Sequence, residues 1–228
     1  MAEKERRFTP GPNGGFNYDA KQAISTLSKQ DPRMAKLIGQ VGPFRLQIEE
    51  ISSSFEALAE SIVYQQLTGK AAATIFSRVL DIYGGKLPAP QKIVKTPDEV
   101  LRGAGLSTAK TAAIKDLAAK QHEGMLPDLD ELATLADDEI IERLITVRGV
   151  GRWTVEMLLI FRLGRPDVLP IHDYGVQKGY MLTYRKKELP KPKELDAFGK
   201  RWRPFRSVAA WYLWRANELT AEQLRLIR

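Results

Sequence analysis

IIERLITVRGVGRWTVEMLLIFRLG, residues 140–164, is the stretch on which the reading of this chain turns. It gives two helical segments joined by Val147-Arg148-Gly149-Val150-Gly151, the first opened by Asp137 in DDEIIERLI. The second, RWTVEMLLIFRLG, is apolar nearly all round and is expected at the centre of the molecule. Glycines at both ends of the turn lack side chains and tolerate unusual dihedrals, so the backbone can run close to another object. Amides exposed at the positive start of the second helix then face outward as a phosphate site. Arg148 and Arg152 flank the turn and add charge. Such a contact grips backbone and carries affinity without sequence preference. Gly-x-Gly by itself also serves a tight turn between helices for purely structural reasons. Here it stands among arginines, with Thr154 following and Asp173 placed 22 positions beyond Gly151, after the Pro170 loop.

Outward from the hairpin the chain reads as helix almost everywhere. In SSSFEALAESIVYQQ the apolar residues Phe55, Leu58, Ala59, Ile62 and Val63 follow helical spacing, and Ser53 with Glu56 forms a capping box. Thr68 caps a second helix that stops at Gly84-Gly85, and Pro97 with Asp98 and Glu99 starts a third. Ser107 or Thr108 begins another helix, which ends near His122. PFRSVAAWYLWRANEL and AEQLRLI close the chain as helices, whereas KKELPKPKEL reads as a solvated Lys/Pro-rich connection. With no convincing alternating pattern, the fold class is all-α, built from about ten short helices. Residues 1–16 read as a flexible arm, because Pro10, Gly11, Pro12, Gly14 and Gly15 deny them regular structure; residues 17–228 form the core.

Composition narrows the partners. The chain has 228 residues with 35 Lys+Arg against 28 Asp+Glu, a net charge of +7 that makes a polyanion the natural partner. From Lys178 onward there are 13 basic residues against 5 acidic, a surplus of 8, so the rest of the chain is near neutral. Cysteine is absent, which removes disulfides, thiol nucleophiles, thiolate zinc sites and cysteine-held iron–sulfur clusters together. The N-terminal residues have no apolar stretch to act as a signal peptide, and the longest apolar region, around Val155 to Phe161, is short and broken by Glu156; the expectation is an intracellular protein without a membrane span.

The blocks LxxVRGVGRWTVEMLL, DVLPIHDYGV and RPFRSVAAWYLW, with YQQLTGKAA upstream, resemble the helix-hairpin-helix DNA glycosylase superfamily over roughly residues 50 to 217. Within it they look like the compact form of the alkylated-base, 3-methyladenine DNA glycosylase II type. The resemblance implies a two-lobed helical bundle with the hairpin over residues 137–163, an active-site cleft between the lobes, and N- and C-terminal helices sharing one lobe.

The same resemblance assigns roles. Asp173 is the catalytic carboxylate; from its position it is also a helix cap. A helix start favours its ionised form, and an anion facing the sugar stabilises the oxocarbenium-like transition state or orients water. Trp153 stands where bifunctional relatives carry a lysine nucleophile, which implies hydrolysis without lyase activity. Its resemblance-derived role is one wall of the base pocket, with Trp214 as another; core packing is the alternative for Trp153. Aromatic walls suit a cationic methylated base through attraction of about 0.5–2 kcal/mol. Tyr64 and Met157 are further lining candidates, Met157 equally a core residue. Gln66 is the candidate plug for the gap left by the extruded base, and Leu106 the apolar wedge, with a helix-end polar residue and a buried leucine as the alternatives. Arg148, Gly149, Gly151, Arg152, Thr154, Lys178 and Arg206 are the candidate phosphate contacts. No cofactor is required; a Na+ or K+ ion at the hairpin carbonyls of Ile145, Val147 and Val150 is the one ion the resemblance suggests.

The function implied is a monomeric, monofunctional glycosylase of base excision repair. It hydrolyses the N-glycosidic bond of flipped-out alkylated purines such as 3-methyladenine and 7-methylguanine in duplex DNA, leaving an abasic site. The implied location is with DNA: the cytoplasmic nucleoid in a bacterium, the nucleus in a eukaryote. The competing reading is a non-catalytic helix-hairpin-helix protein that binds DNA structure or abasic sites; Asp173 speaks against it, because a pure binder gains little from a carboxylate near phosphates.

Overall fold

A computed structural model of the chain describes residues 16, 18–49 and 51–227. The arm expected over residues 1–16 lies outside them except for Phe16. That residue is buried, with its ring against Tyr18 and Phe44, and so belongs to the folded core.

Every regular element among the described residues is helical. In chain order they are α1 (Ala20–Gln30), α2 (Pro32–Val41), α3 (Ser54–Tyr64), α4 (Gly69–Asp81), α5 (Pro90–Lys95), α6 (Asp98–Gly103), α7 (Thr108–His122), α8 (Leu129–Thr134), α9 (Asp137–Leu144), α10 (Arg152–Phe161), α11 (Tyr174–Tyr184), α12 (Pro192–Gly199), α13 (Arg206–Ala216) and α14 (Ala221–Leu226), with a 3-10 turn at Lys200–Trp202. Local chemistry explains the boundaries. Ser53, Thr68, Ser107 and Asp128 each accept a hydrogen bond from the third helical amide beyond them. Sequence periodicity did not single out α1, α2, α5, α8 or α12. The last corrects the expected loop in KKELPKPKEL: Pro192 occupies the first helical turn, and the Glu194 carboxylate reaches back to accept from the Lys191 amide at 2.9 Å.

The chain divides into two compact units, and the division falls inside α10, after Leu158. In the unit formed by residues 51–158, α7 is the central element and packs against α3, α5 and α6. Ile114 and Leu117 of α7 are buried, as are Leu58, Ile62 and Val63 of α3. At about 25 cal/mol per Å² of apolar surface this burial is the main stabilising term. The hairpin of α9 and α10 belongs to this unit up to Leu158. Trp153 on α10 is 44% exposed, so the helix is not apolar all round; its one acid, Glu156, is buried and paired with Arg152 at 3.0 Å.

The other unit combines the described residues up to Glu49 with those from Leu159 onward, and α13 is its central helix, packed against α11, α2 and α1. The α11–α13 crossing is as close as backbones allow: a Cβ on Gly179 would lie 1.8 Å from the Leu213 carbonyl oxygen. Asp31, a buried carboxylate, caps α2 and accepts from Tyr184 Oη at 2.7 Å and Trp202 Nε1 at 3.0 Å.

Candidate active site

Where α3 ends, the chain cannot run straight into α4. Gln65 takes an extended ψ, and Gln66 enters the left-handed region at φ 56° before Thr68 caps α4. For a residue with a side chain this conformation costs of the order of 1 kcal/mol or more, and it persists only where the surroundings fix it. The turn forms one wall of a cavity of about 580 Å³, with Tyr64, Gln66 and Leu67 on one side and Trp153, Thr154 and Met157 of α10 on the other. That volume lies in the range of sites that take one small ligand, and two aromatic rings among its walls suit a flat one. Tyr64, Trp153, Met157 and Gln66 are thus brought together. Trp153 shows exposed ring surface rather than core packing.

The Thr154 side chain belongs to this wall and is not offered to a phosphate. It is only 5% exposed and accepts from Gln65 Nε2 at 3.5 Å, so its hydroxyl is withdrawn from the surface. Leu106 is likewise not available as a wedge in this conformation: it is 3% exposed, because the Gly105 turn packs it inward. Leu67, 40% exposed on the cavity wall beside Gln66, is the apolar side chain that stands out instead.

In the hairpin, not every amide faces outward. The Val147 and Val150 amides are spent on turn hydrogen bonds, and the Arg148 amide donates to Asp116 Oδ2 at 2.7 Å. Burial raises the Asp116 carboxyl pKa, but that Arg148 amide and the Lys120 ammonium outweigh it and hold the group below its usual value. The carboxylate therefore keeps its grip at neutral pH and loses it only in acid. Gly149 sits at φ 77° with Ala113 Cβ 3.2 Å from where its own Cβ would be, whereas a Cβ on Gly151 would meet nothing within 4 Å. Arg148 is exposed, and Arg152 is exposed while pairing with Glu156 and, at 3.5 Å, with Asp138. Of the three carbonyls suggested for a cation, that of Val147 accepts from the Val150 amide and keeps a second lone pair; those of Ile145 and Val150 take no hydrogen bond among the described residues. Carbonyl oxygens are the donor type that a hard cation takes. No group of three His, Asp or Glu side chains able to hold a metal occurs among the described residues.

In the other unit, Asp173 is both cap and candidate catalyst. Its Oδ1 accepts from the Val176 amide at 2.8 Å and from Trp214 Nε1 at 2.7 Å. The indole can come this near because position 175 is glycine: a Cβ there would lie 2.8 Å from Trp214 Cδ1 and 3.1 Å from Asp173 Oδ1. Trp214, half-buried, stacks on Phe161 with ring centroids 5.6 Å apart. Two donors hold the carboxylate oriented at the start of the helix.

The loop before Asp173 is tied to α13. Ser207 Oγ donates to the Arg165 carbonyl at 2.7 Å and accepts from the Val168 amide at 2.9 Å. Arg206 binds both carboxylate oxygens of Asp167, at 2.7 and 3.0 Å, and the Asp167 carbonyl at 2.7 Å. This corrects Arg206 as a phosphate contact: its guanidinium fork is filled by Asp167, and it positions the loop. Arg203, more exposed, pairs with the same carboxylate at 3.1 Å, and Lys178 is half-buried on α11. His172 is exposed, and His122 is hydrogen-bonded to Gln91 at the end of α7. Sequence reading missed Gln65, Lys110, Asp116 and Gly175. Only Gly175 left a trace, in its four-residue spacing from Gly179.

Against known proteins, the model of the HhH-GPD superfamily of base excision DNA repair proteins matches residues 59–204. DNA-3-methyladenine glycosylase 1 of Schizosaccharomyces pombe is 37% identical over 197 residues, 86% of this chain and 86% of its own. The solved structure of the 3-methyladenine DNA glycosylase of that yeast, in complex with abasic DNA, superposes with a TM-score of 0.77 at 36% identity, covering 87% of this chain and 98% of that one. A DNA-3-methyladenine glycosidase from Bacillus halodurans superposes with a TM-score of 0.79 at 35% identity, covering 95% and 94%. By this match of sequence and helical architecture, the chain belongs to the HhH-GPD superfamily of base excision DNA repair proteins, on its alkylated-base glycosylase branch.

Proposed function

We propose that this chain is a monofunctional DNA glycosylase that hydrolyses the N-glycosidic bond of alkylated purines, 3-methyladenine and 7-methylguanine, in duplex DNA. The observation that carries the reading is Asp173, held at the start of α11 by the Trp214 indole and the Val176 amide. A base methylated on a ring nitrogen is a cation and already a good leaving group, so the reaction calls for stabilisation of the sugar cation more than for a general acid. The Asp173 carboxylate supplies the negative charge for that purpose and a lone pair to orient or deprotonate water. Position 153 is a tryptophan, whose indole cannot attack the sugar as an amine does, so no Schiff base forms there and the product is an abasic site.

The cavity of Tyr64, Trp153 and Met157 receives the extruded base, and the indole of Trp214 is a second stacking surface with its N–H committed to Asp173. Gln66 and Leu67, at the cavity wall, fill the gap left in the duplex. Gly149, Gly151, Arg148 and Arg152 meet the phosphates, with Lys178 adding charge from α11. The carbonyls of Ile145, Val147 and Val150 would hold a Na+ or K+ ion there, which adds positive charge facing the DNA backbone. The protein acts as a monomer.

The test is release of methylated bases from alkylated duplex DNA, with borohydride present in a parallel reaction. Base release without a trapped protein–DNA adduct is expected. An adduct would sink the monofunctional assignment, and DNA binding with no release from any alkylated lesion would make the chain a binding protein instead.

A further inference from the structure

Lys110 looks like one more surface cation of α7, available to DNA. Its ammonium is spent inside the protein: Nζ donates to the Val63 carbonyl at 2.7 Å and to the Gln65 carbonyl at 2.8 Å. Both acceptors lie at the C-terminal end of α3, where helix carbonyls lose their intrahelical partners. Burial lowers the Lys110 pKa. The Gln65 side chain turns to the hairpin, where Nε2 donates to the Gly149 carbonyl at 2.9 Å. Immediately after these two anchors stands Gln66, exposed and left-handed. The other non-glycine residue with positive φ among the described ones, Arg185, sits at the C-cap of α11, a place where helices commonly end this way. Gln66 lies one residue past the C-cap of α3, and the Lys110 ammonium holds the chain on its near side.

We propose that Lys110 and Gln65 form a brace that fixes the strained Gln66–Leu67 turn to the hairpin, and that Lys110 is a positioning residue for recognition of the damaged site. Lys110 pins the end of α3, Gln65 ties that end to Gly149, and the side chains of Gln66 and Leu67 are thereby presented at the cavity wall in one arrangement. The grip on the DNA backbone and the walls of the base pocket are in this way one rigid piece. The brace rests on the glycosylase reading for what it recognises, and on the hydrogen bonds alone for its mechanics.

The test compares the full chain with Lys110→Met, Gln65→Met, Gln66→Gly and the Lys110→Met/Gln66→Gly double variant. Affinity is measured for a duplex holding a tetrahydrofuran abasic-site analogue and for the same duplex undamaged, beside single-turnover release of 7-methylguanine and thermal melting. Lys110→Met is expected to lower the preference for the abasic duplex about tenfold while undamaged-duplex affinity stays within about twofold, because misplacement of a recognition element costs selectivity rather than phosphate contact. In the Gln66→Gly background the same change should cost less than about threefold, since glycine takes a positive φ without a brace. Equal loss for both duplexes, or an unchanged preference, overturns the brace; if Lys110→Met melts too low to assay, Gln65→Met decides by the same two affinities. Selective binding by the wild type with no release of 7-methylguanine would remove the glycosylase reading and leave the brace standing.

Discussion

Two helices of this molecule begin in opposite ways. The first amides of α11 are closed by the protein's own carboxylate, Asp173, which also takes the Trp214 N–H. The start of α10 follows Gly151, which has no side chain to cap with and open space where a Cβ would be. The same positive helix end holds an anion that belongs to the protein in one case and stands open behind a glycine in the other. On the proposed function the closed start must be exact, because chemistry on the sugar would depend on where its oxygen points. On the same proposal the open one needs only to admit a phosphate.

The sharpest way to break that contrast is Asp173→Asn. The amide oxygen can still cap Val176, so melting should shift by the equivalent of about 1 kcal/mol or less, while base release falls by about 10²–10³-fold. A variant with full activity would reduce Asp173 to a cap. Next in size is the support of that carboxylate. Gly175→Ala puts a methyl where Trp214 and Asp173 meet, and single-turnover release should drop by about thirtyfold with DNA affinity little changed. The smallest effects belong to the open start. Gly151→Ala should leave melting unchanged and weaken duplex binding by about threefold, whereas Gly149→Ala, forced to a positive φ against Ala113, should cost stability of about 1–2 kcal/mol. Equal melting losses for both glycine variants would show that the two positions share one structural role.

Much of the candidate site was legible along the chain. Asp173 before a helix, Trp153 in place of a lysine, and the aromatic and apolar residues at 64 and 157 needed only local pattern and resemblance, and the cavity assembles the last three. The hairpin was legible for the same reason: its glycines and flanking helices are neighbours in sequence. The errors fall where a partner comes from far away. Arg206 reads as a free cation until Asp167, 39 residues earlier, fills its fork. Thr154 and Leu106 read as accessible until packing withdraws them. Lys110 carries no signal at all, because nothing local reveals that its ammonium will cap α3 from another helix. The short helices α5 and α8 escaped because six residues give too little period to recognise.

The Arg206–Asp167 pair has a further bearing on how this protein meets changes in ionic strength. Its guanidinium and carboxylate side chains are only 13% and 21% exposed and are joined through a fork of parallel hydrogen bonds, so mobile ions screen them weakly. Phosphate contacts at the surface behave otherwise, since salt competes directly for them. On the proposed function, raising salt is therefore expected to strip the protein from DNA before it loosens the loop that leads to Asp173, so activity lost in salt would report release of the duplex while the Asp173 site is still assembled.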